Sequence, residues 1–173
     1  MIARVDDTGV EDAATLLRRV ARDHPDAEAF VDGDERLTFS EWDRAADAVA
    51  RRFEAEGVSK GDVVTLVLPS SVAYAICYQA AMRMGAITSG INPRLGPREV
   101  HSILERTEPR VIVVDPAVGT LPEDAATAAL VKREELAAEV AAGGAPATFP
   151  AVGSDDPVAI VWTSGTTGVP KGA

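Results

Sequence analysis

The sequence predicts an α/β fold, a layered sandwich around a parallel sheet, and three observations carry that prediction. Residues 62–69 and 110–115 are short runs, Asp-Val-Val-Thr-Leu-Val-Leu-Pro and Arg-Val-Ile-Val-Val-Asp, apolar on successive positions. Strands covered on both faces have this pattern, whereas a half-exposed strand alternates. Between them lie two segments with helical spacing, separated by a further short strand at 86–91. Strand, helix, strand, helix, strand implies right-handed crossovers and parallel pairing.

Taken in order, residues 10–23 place Ala13, Leu16, Leu17 and Val20 on one helical face, and His24-Pro25 ends that helix. Residues 29–31 and 36–39 flank Asp32-Gly33-Asp34-Glu35, the chemistry of a β-hairpin turn. Ser40, with Asp43 three residues on, is expected to cap the next helix. Its inner stripe is Trp42, Ala45, Ala46, Val49 and Phe53, and Gly57 ends it. After the 62–69 strand, Ser70-Ser71 opens a helix running to Met84. Its apolar residues Val72, Ala73, Ile76, Cys77, Ala80, Ala81 and Met84 surround most of the axis, as in a helix lying between two sheets. Pro97 suits the first turn of a helix that turns Val100, Ile103, Leu104 and Thr107 inward. From 115 to 157 the pattern weakens to one short surface helix at 132–142, with Glu134 and Glu135 facing solvent, and a Gly/Ala/Pro connector. Residues 158–162 read as one more buried strand.

Composition narrows the function classes. The chain has 173 residues, 46% hydrophobic and 25% charged, enough for a substantial core. A formal net charge of −10 argues against nucleic acid, whose phosphates need clustered Lys and Arg. The single cysteine, Cys77, cannot form an internal disulfide and fits the cytoplasm. The N-terminus lacks the apolar core of a signal peptide, and residues 72–84, broken by Gln79 and Arg83, are too short to span a bilayer.

The chemistry gathers at the end of the sequence. The apolar run 158–162 leads directly into Thr163-Ser164-Gly165-Thr166-Thr167-Gly168-Val169-Pro170-Lys171-Gly172. Glycines allow several N–H groups to converge on an anion, hydroxyls add donors, and Lys171 adds a mobile charge. The pattern is not Gly-x4-Gly-Lys-Ser/Thr, because Pro170 precedes the lysine and Gly172 follows it. A flexible Ser/Thr/Gly linker is the competing interpretation, although Pro170-Lys171-Gly172 is stiffer and more charged than linkers are.

These ten residues resemble the phosphate-loop signature of the adenylate-forming superfamily, which includes acyl-CoA synthetases, firefly-luciferase-like enzymes and peptide-synthetase adenylation domains. Trp162 stands where that family more often has Tyr or Phe, and Thr88-Ser89-Gly90 with Asn92-Pro93 look more like its acyl-CoA ligase branch. The resemblance implies that residues 1–173 are the N-terminal part of an AMP-binding domain, ending at the phosphate loop, with the C-terminal domain absent. It implies activation of a carboxylic or fatty acid by ATP with Mg2+, then acyl transfer to coenzyme A. Thr163, Ser164, Gly165, Thr166, Thr167, Gly168 and Lys171 would hold the β- and γ-phosphates. No catalytic residue or metal ligand is assigned within the chain. A non-catalytic nucleotide-binding or interaction module is the alternative. The family's adenine, acyl-pocket and thioester segments lie downstream, so the 173 residues alone are expected to lack turnover and to self-associate through the apolar 158–162 strand.

Three further features are read as structural. His24 and His101, the only histidines, lack a partner that would make a base, and Cys77 is an inert core thiol. Glu123-Asp124 and Asp155-Asp156 are solvated acidic pairs without a third metal ligand.

Overall fold

The computed structural model describes residues 12–118, 121–122, 128–144, 148–153, 155–163 and 170–173. Helix α1 (Ala13–Asp23) precedes a hairpin of β1 (Glu28–Asp32) and β2 (Glu35–Thr38), and α2 (Phe39–Ala55) follows. Then come β3 (Val63–Val67), α3 (Val72–Arg83), β4 (Ile87–Gly90), α4 (Pro97–Thr107), β5 (Val111–Val114), β6 (Ala129–Lys132) and α5 (Arg133–Ala142). The short strands β7 (Ala159–Ile160), β8 (Trp162–Thr163) and β9 (Lys171–Gly172) end the order. The predicted α/β class holds: β6-β5-β3-β4-β7 form one sheet, parallel at every pairing.

Alternation along the central strands sorts the helices into two layers. Val64, Leu66, Val111 and Val113 point to one face, into a core with Val49 and Phe53 of α2, Ile76, Cys77 and Ala80 of α3, and Leu136 of α5. Val67, Ile112 and Val114 point to the other, where Val100, Ile103 and Leu104 of α4 cover them. Burying one such side chain is worth about 1.5–3 kcal/mol, so each stripe pins its helix to its face.

The β1–β2 turn forms where the Asp-Gly pair predicts it, with Gly33 at φ +58°, a region other residues enter at a cost. The α2 cap differs from expectation. Thr38, not Ser40, is the N-cap: its hydroxyl accepts from the Glu41 N–H at 3.3 Å, and the Glu41 carboxylate accepts from the Thr38 N–H at 2.9 Å. Thr38 ends β2 in extended backbone, so the reciprocal box closes there, while Asp43 is engaged by Arg83 instead.

Helix α3 is covered on both sides as expected, but the second side is mostly helical. One side meets β3 and β4; the other meets chiefly α2 and α1, with a smaller contact to β1 of the hairpin. Polar residues are partnered on that side. Arg83, 2% exposed, donates from Nη1 to the Asp43 carbonyl at 2.7 Å and to Asp47 Oδ1 at 2.6 Å, and from Nη2 to the Asp43 carboxylate. Arg18 of α1 reaches the same Asp47 at 2.7 Å, and Gln79 donates to the Ala13 carbonyl at 3.2 Å. These buried donors are met by two carboxylates of α2 and by backbone carbonyls of α1 and α2.

Further expectations are corrected. The weak stretch contains β6, where only Val131 of Ala129–Lys132 is buried, too little contrast to read as a strand. The run 158–162 is not one buried strand: Ala159–Ile160 joins the sheet edge beside β4, whereas Trp162–Thr163 turns away to pair with Lys171–Gly172. Val161, between the two, is 62% exposed. Glu134 faces solvent, but Glu135 receives Arg52 Nη2 at 3.2 Å. His101 pairs through Nε2 with Glu105 Oε1 at 3.1 Å one turn along α4, so it is not partnerless; both groups lie on the exposed surface.

Candidate functional site

Loops leave the carboxyl ends of β3 and β4 toward opposite faces: β3 leads into α3 on one side of the sheet, β4 into α4 on the other. Adjacent parallel strands whose connections diverge open a crevice between them, the usual ligand position in α/β sheets. A cleft of about 660 Å³ lies there, lined by Leu68, Pro69 and Ser70 after β3 and by Gly90, Asn92, Pro93 and Arg94 after β4, with Tyr74 and Val118. Asn92 shapes the rim: its side-chain oxygen accepts from the Arg94 N–H at 3.0 Å. Burial raises the Tyr74 phenol above its ordinary range, so it stays a neutral hydroxyl at the wall. The cleft thus offers an apolar wall, a phenol and one guanidinium.

The β8–β9 hairpin rises from the same carboxyl edge, two residues beyond the pairing of Ile160 with Ser89. Antiparallel pairing sets Thr163 directly opposite Lys171, which puts a hydroxyl and an ammonium on one face. Both side chains are exposed, and among the described residues the Thr163 hydroxyl makes a long 3.4 Å contact to the Lys171 carbonyl. The hairpin base is tied down more firmly. Val161 and Ala173 exchange N–H···O bonds of 2.8 and 3.1 Å, and Trp162 Nε1 donates to Ser89 Oγ at 3.0 Å. Arg106, in the last turn of α4, donates to the Pro170 carbonyl at 2.7 Å and lies 5.3 Å from the Trp162 ring centroid.

Of the residues that the sequence singles out, Thr163 and Lys171 are thus brought together. Ser164, Gly165, Thr166, Thr167 and Gly168 lie outside the described residues, as do Glu123 and Asp124. Cys77 is buried, and that burial pushes its thiol up to about 12, which removes the thiolate a nucleophile needs. Asp156 sits in a surface ion pair with Lys60 at 2.6 Å and accepts from the Gly153 N–H; the Lys60 bond is the main reason its carboxyl lies below the ordinary range. Among the described residues no three His, Cys, Asp or Glu side chains gather as metal ligands. Sequence reasoning missed Arg106 and Arg94. Arg94 stands in a Pro-containing turn that reads as purely structural, and Arg106 meets residues more than fifty positions away, which leaves no local pattern.

The comparisons with known proteins agree with this geometry. Residues 17–173 match the family described as AMP-binding enzyme, and the chain belongs to that family. Long-chain-fatty-acid--CoA ligase FadD13 of Mycobacterium tuberculosis is 31% identical over 167 residues, covering 91% of this chain and 33% of that protein. 4-Coumarate--CoA ligase 5 of Oryza sativa subsp. japonica is 32% identical over 186 residues, covering 98% of this chain and 34% of that one. The solved N-terminal domain of FACL13 from Mycobacterium tuberculosis, bound to an inhibitor, superposes with a TM-score of 0.82 at 29% identity, covering 94% of this chain and 44% of that one. The chain spans about a third of the length of these curated relatives. No helix among the described residues is long and apolar enough to cross a membrane.

Proposed function

We propose that the chain is the N-terminal portion of a cytoplasmic, ATP-dependent acid–thiol ligase of the acyl-CoA synthetase type. The observation that carries this reading is the Thr163–Lys171 pair, a donor and a cation on one face of a hairpin at the carboxyl edge of a parallel sheet. The names of the relatives, CoA ligases for fatty, coumaric and chlorobenzoic acids, support the reaction class and leave aliphatic and aromatic acids both open.

In the proposed reaction a carboxylate oxygen attacks the α-phosphorus of ATP, the bond to the β-phosphate oxygen breaks, and pyrophosphate leaves. The thiol of coenzyme A then adds to the acyl carbonyl, loses its proton, and AMP departs. Lys171 and Thr163, with Ser164, Gly165, Thr166, Thr167 and Gly168, would bind the β- and γ-phosphates and offset the charge that grows on the leaving group. Mg2+ would accompany the triphosphate and share in neutralising it. The switch-point cleft, with Arg94 at its rim, suits a second phosphate-bearing substrate such as coenzyme A.

Because the 173 residues span a third of a ligase, turnover is tested on a fusion to the remaining two thirds of FadD13. Carboxylate-dependent ATP–pyrophosphate exchange is expected from the fusion and not from the chain alone. Lys171→Ala should lower exchange at least tenfold, the worth of one charge-assisted contact, with the melting temperature nearly unchanged. A folded fusion without exchange, or full exchange in Lys171→Ala, would overturn the reading.

A further inference from the structure

Lys171 is an exposed lysine on a strand only two residues long, yet its backbone is gripped on both sides. Before it, the Pro170 carbonyl accepts from Arg106 Nη1 at 2.7 Å. After it, Gly172 lies so close to its neighbours that a Cβ would stand 2.8 Å from Ile160 Cγ2 and 3.1 Å from Trp162 Cη2. Trp162 is fixed in turn by its 3.0 Å bond to Ser89 and by the guanidinium over its ring. One arginine of α4 therefore joins both strands of the hairpin. Among the described residues no carboxylate pairs with Arg106, so its interactions are with a carbonyl and a ring.

We propose that Arg106 is a positioning residue for Lys171: through Pro170 and Trp162 it sets the lysine's backbone, so that the ammonium meets polyphosphate without a backbone-ordering cost. The proposal rests on the phosphate-binding reading of Lys171 above. A lysine on a free hairpin would lose backbone as well as side-chain freedom on binding an anion, and a clamped one loses only the latter. Cation–π contact and a charged hydrogen bond are both short-ranged, so the effect is confined to the hairpin.

The test combines hydrogen exchange of the ligand-free chain with equilibrium dialysis of the FadD13 fusion against MgATP, for wild type, Arg106→Ala, Arg106→Lys and Lys171→Ala. The probes are the amides of Val161 and Ala173, which bond each other's carbonyls and close the hairpin. Arg106→Ala should speed their exchange about tenfold, leave the amides of β3 unchanged, and weaken MgATP binding as Lys171→Ala does. Arg106→Lys should recover most of both, since an ammonium can lie over the indole and donate to one carbonyl. Unchanged exchange at Val161 and Ala173 overturns the clamp. So does faster exchange with unaltered MgATP affinity, when Lys171→Ala weakens that affinity. If Arg106→Ala also exposes β3, Arg106→Gln, which keeps a donor without the charge, carries the same comparison. If the wild type binds no MgATP, or binds it regardless of Lys171, the phosphate reading falls, and hydrogen exchange alone decides whether Arg106 clamps the hairpin.

Discussion

Arg83 and Arg106 each tie a helix to its surroundings on opposite faces of one sheet, and by opposite means. Arg83 is 2% exposed and directs its charge to Asp43 and Asp47, which also receives Arg18. Arg106 is exposed and engages a carbonyl and an indole face. A guanidinium taken out of water must be neutralised, so the charge in the helical layer is balanced internally and serves packing. One left at the surface can anchor a hairpin and still add positive potential where an anion would arrive.

The sharpest way to break this comparison is to remove Arg83. Arg83→Met leaves two carboxylates facing the α2–α3 contact, and the expected loss is about 3–5 kcal/mol in chemical denaturation. A loss below about 1 kcal/mol would show that Arg18 and water suffice for Asp47. A smaller effect is expected from Gly172→Ala. The added methyl overlaps Ile160 and crowds Trp162, so the indole must shift, at a cost of about 1 kcal/mol. Tryptophan emission should change and MgATP affinity should fall several-fold, while the α1–α3 layer keeps its exchange protection. The smallest effect concerns the α2 cap, which sharpens the contrast by showing a surface charge that acts on stability alone. The Thr38 N–H holds the Glu41 carboxyl below its ordinary range. A depressed folded pKa gives stability above the unfolded value, about 4.3, that is lost as pH falls through the folded one. Glu41→Gln should therefore cost about 0.5 kcal/mol at neutral pH, after allowing for solvent screening, and nothing once the wild-type carboxyl is protonated. Thermal melts of both proteins from pH 7 down to acid check the sign.

Much of this fold is legible in the sequence because its strands advertise their burial. Val111–Val114 is buried at every position, and β3 nearly so, hence their unbroken apolar runs. The hairpin shows through Asp32-Gly33 for the same local reason. What stays hidden depends on partners distant in sequence. Asp43 looks like a cap residue until Arg83, forty residues on, claims it. The run 158–162 looks like one strand because Val161 is apolar, yet the chain turns there and leaves it exposed. Thr163 and Lys171 are legible from residue chemistry, while the side chains that hold them, Arg106 and Ser89, carry no local pattern at all.

The strand order β6-β5-β3-β4-β7 has a consequence for how the protein is made. The first of the five strands to leave the ribosome, β3, is the middle one. β4 joins on one side of it, β5 on the other, β6 beyond β5 and β7 beyond β4. Every new strand therefore docks on a free edge, and none has to wedge itself between neighbours that are already paired. The sheet grows outward as synthesis proceeds, and the edge of β4, which waits for β7 until residue 159, stands open to other chains longest.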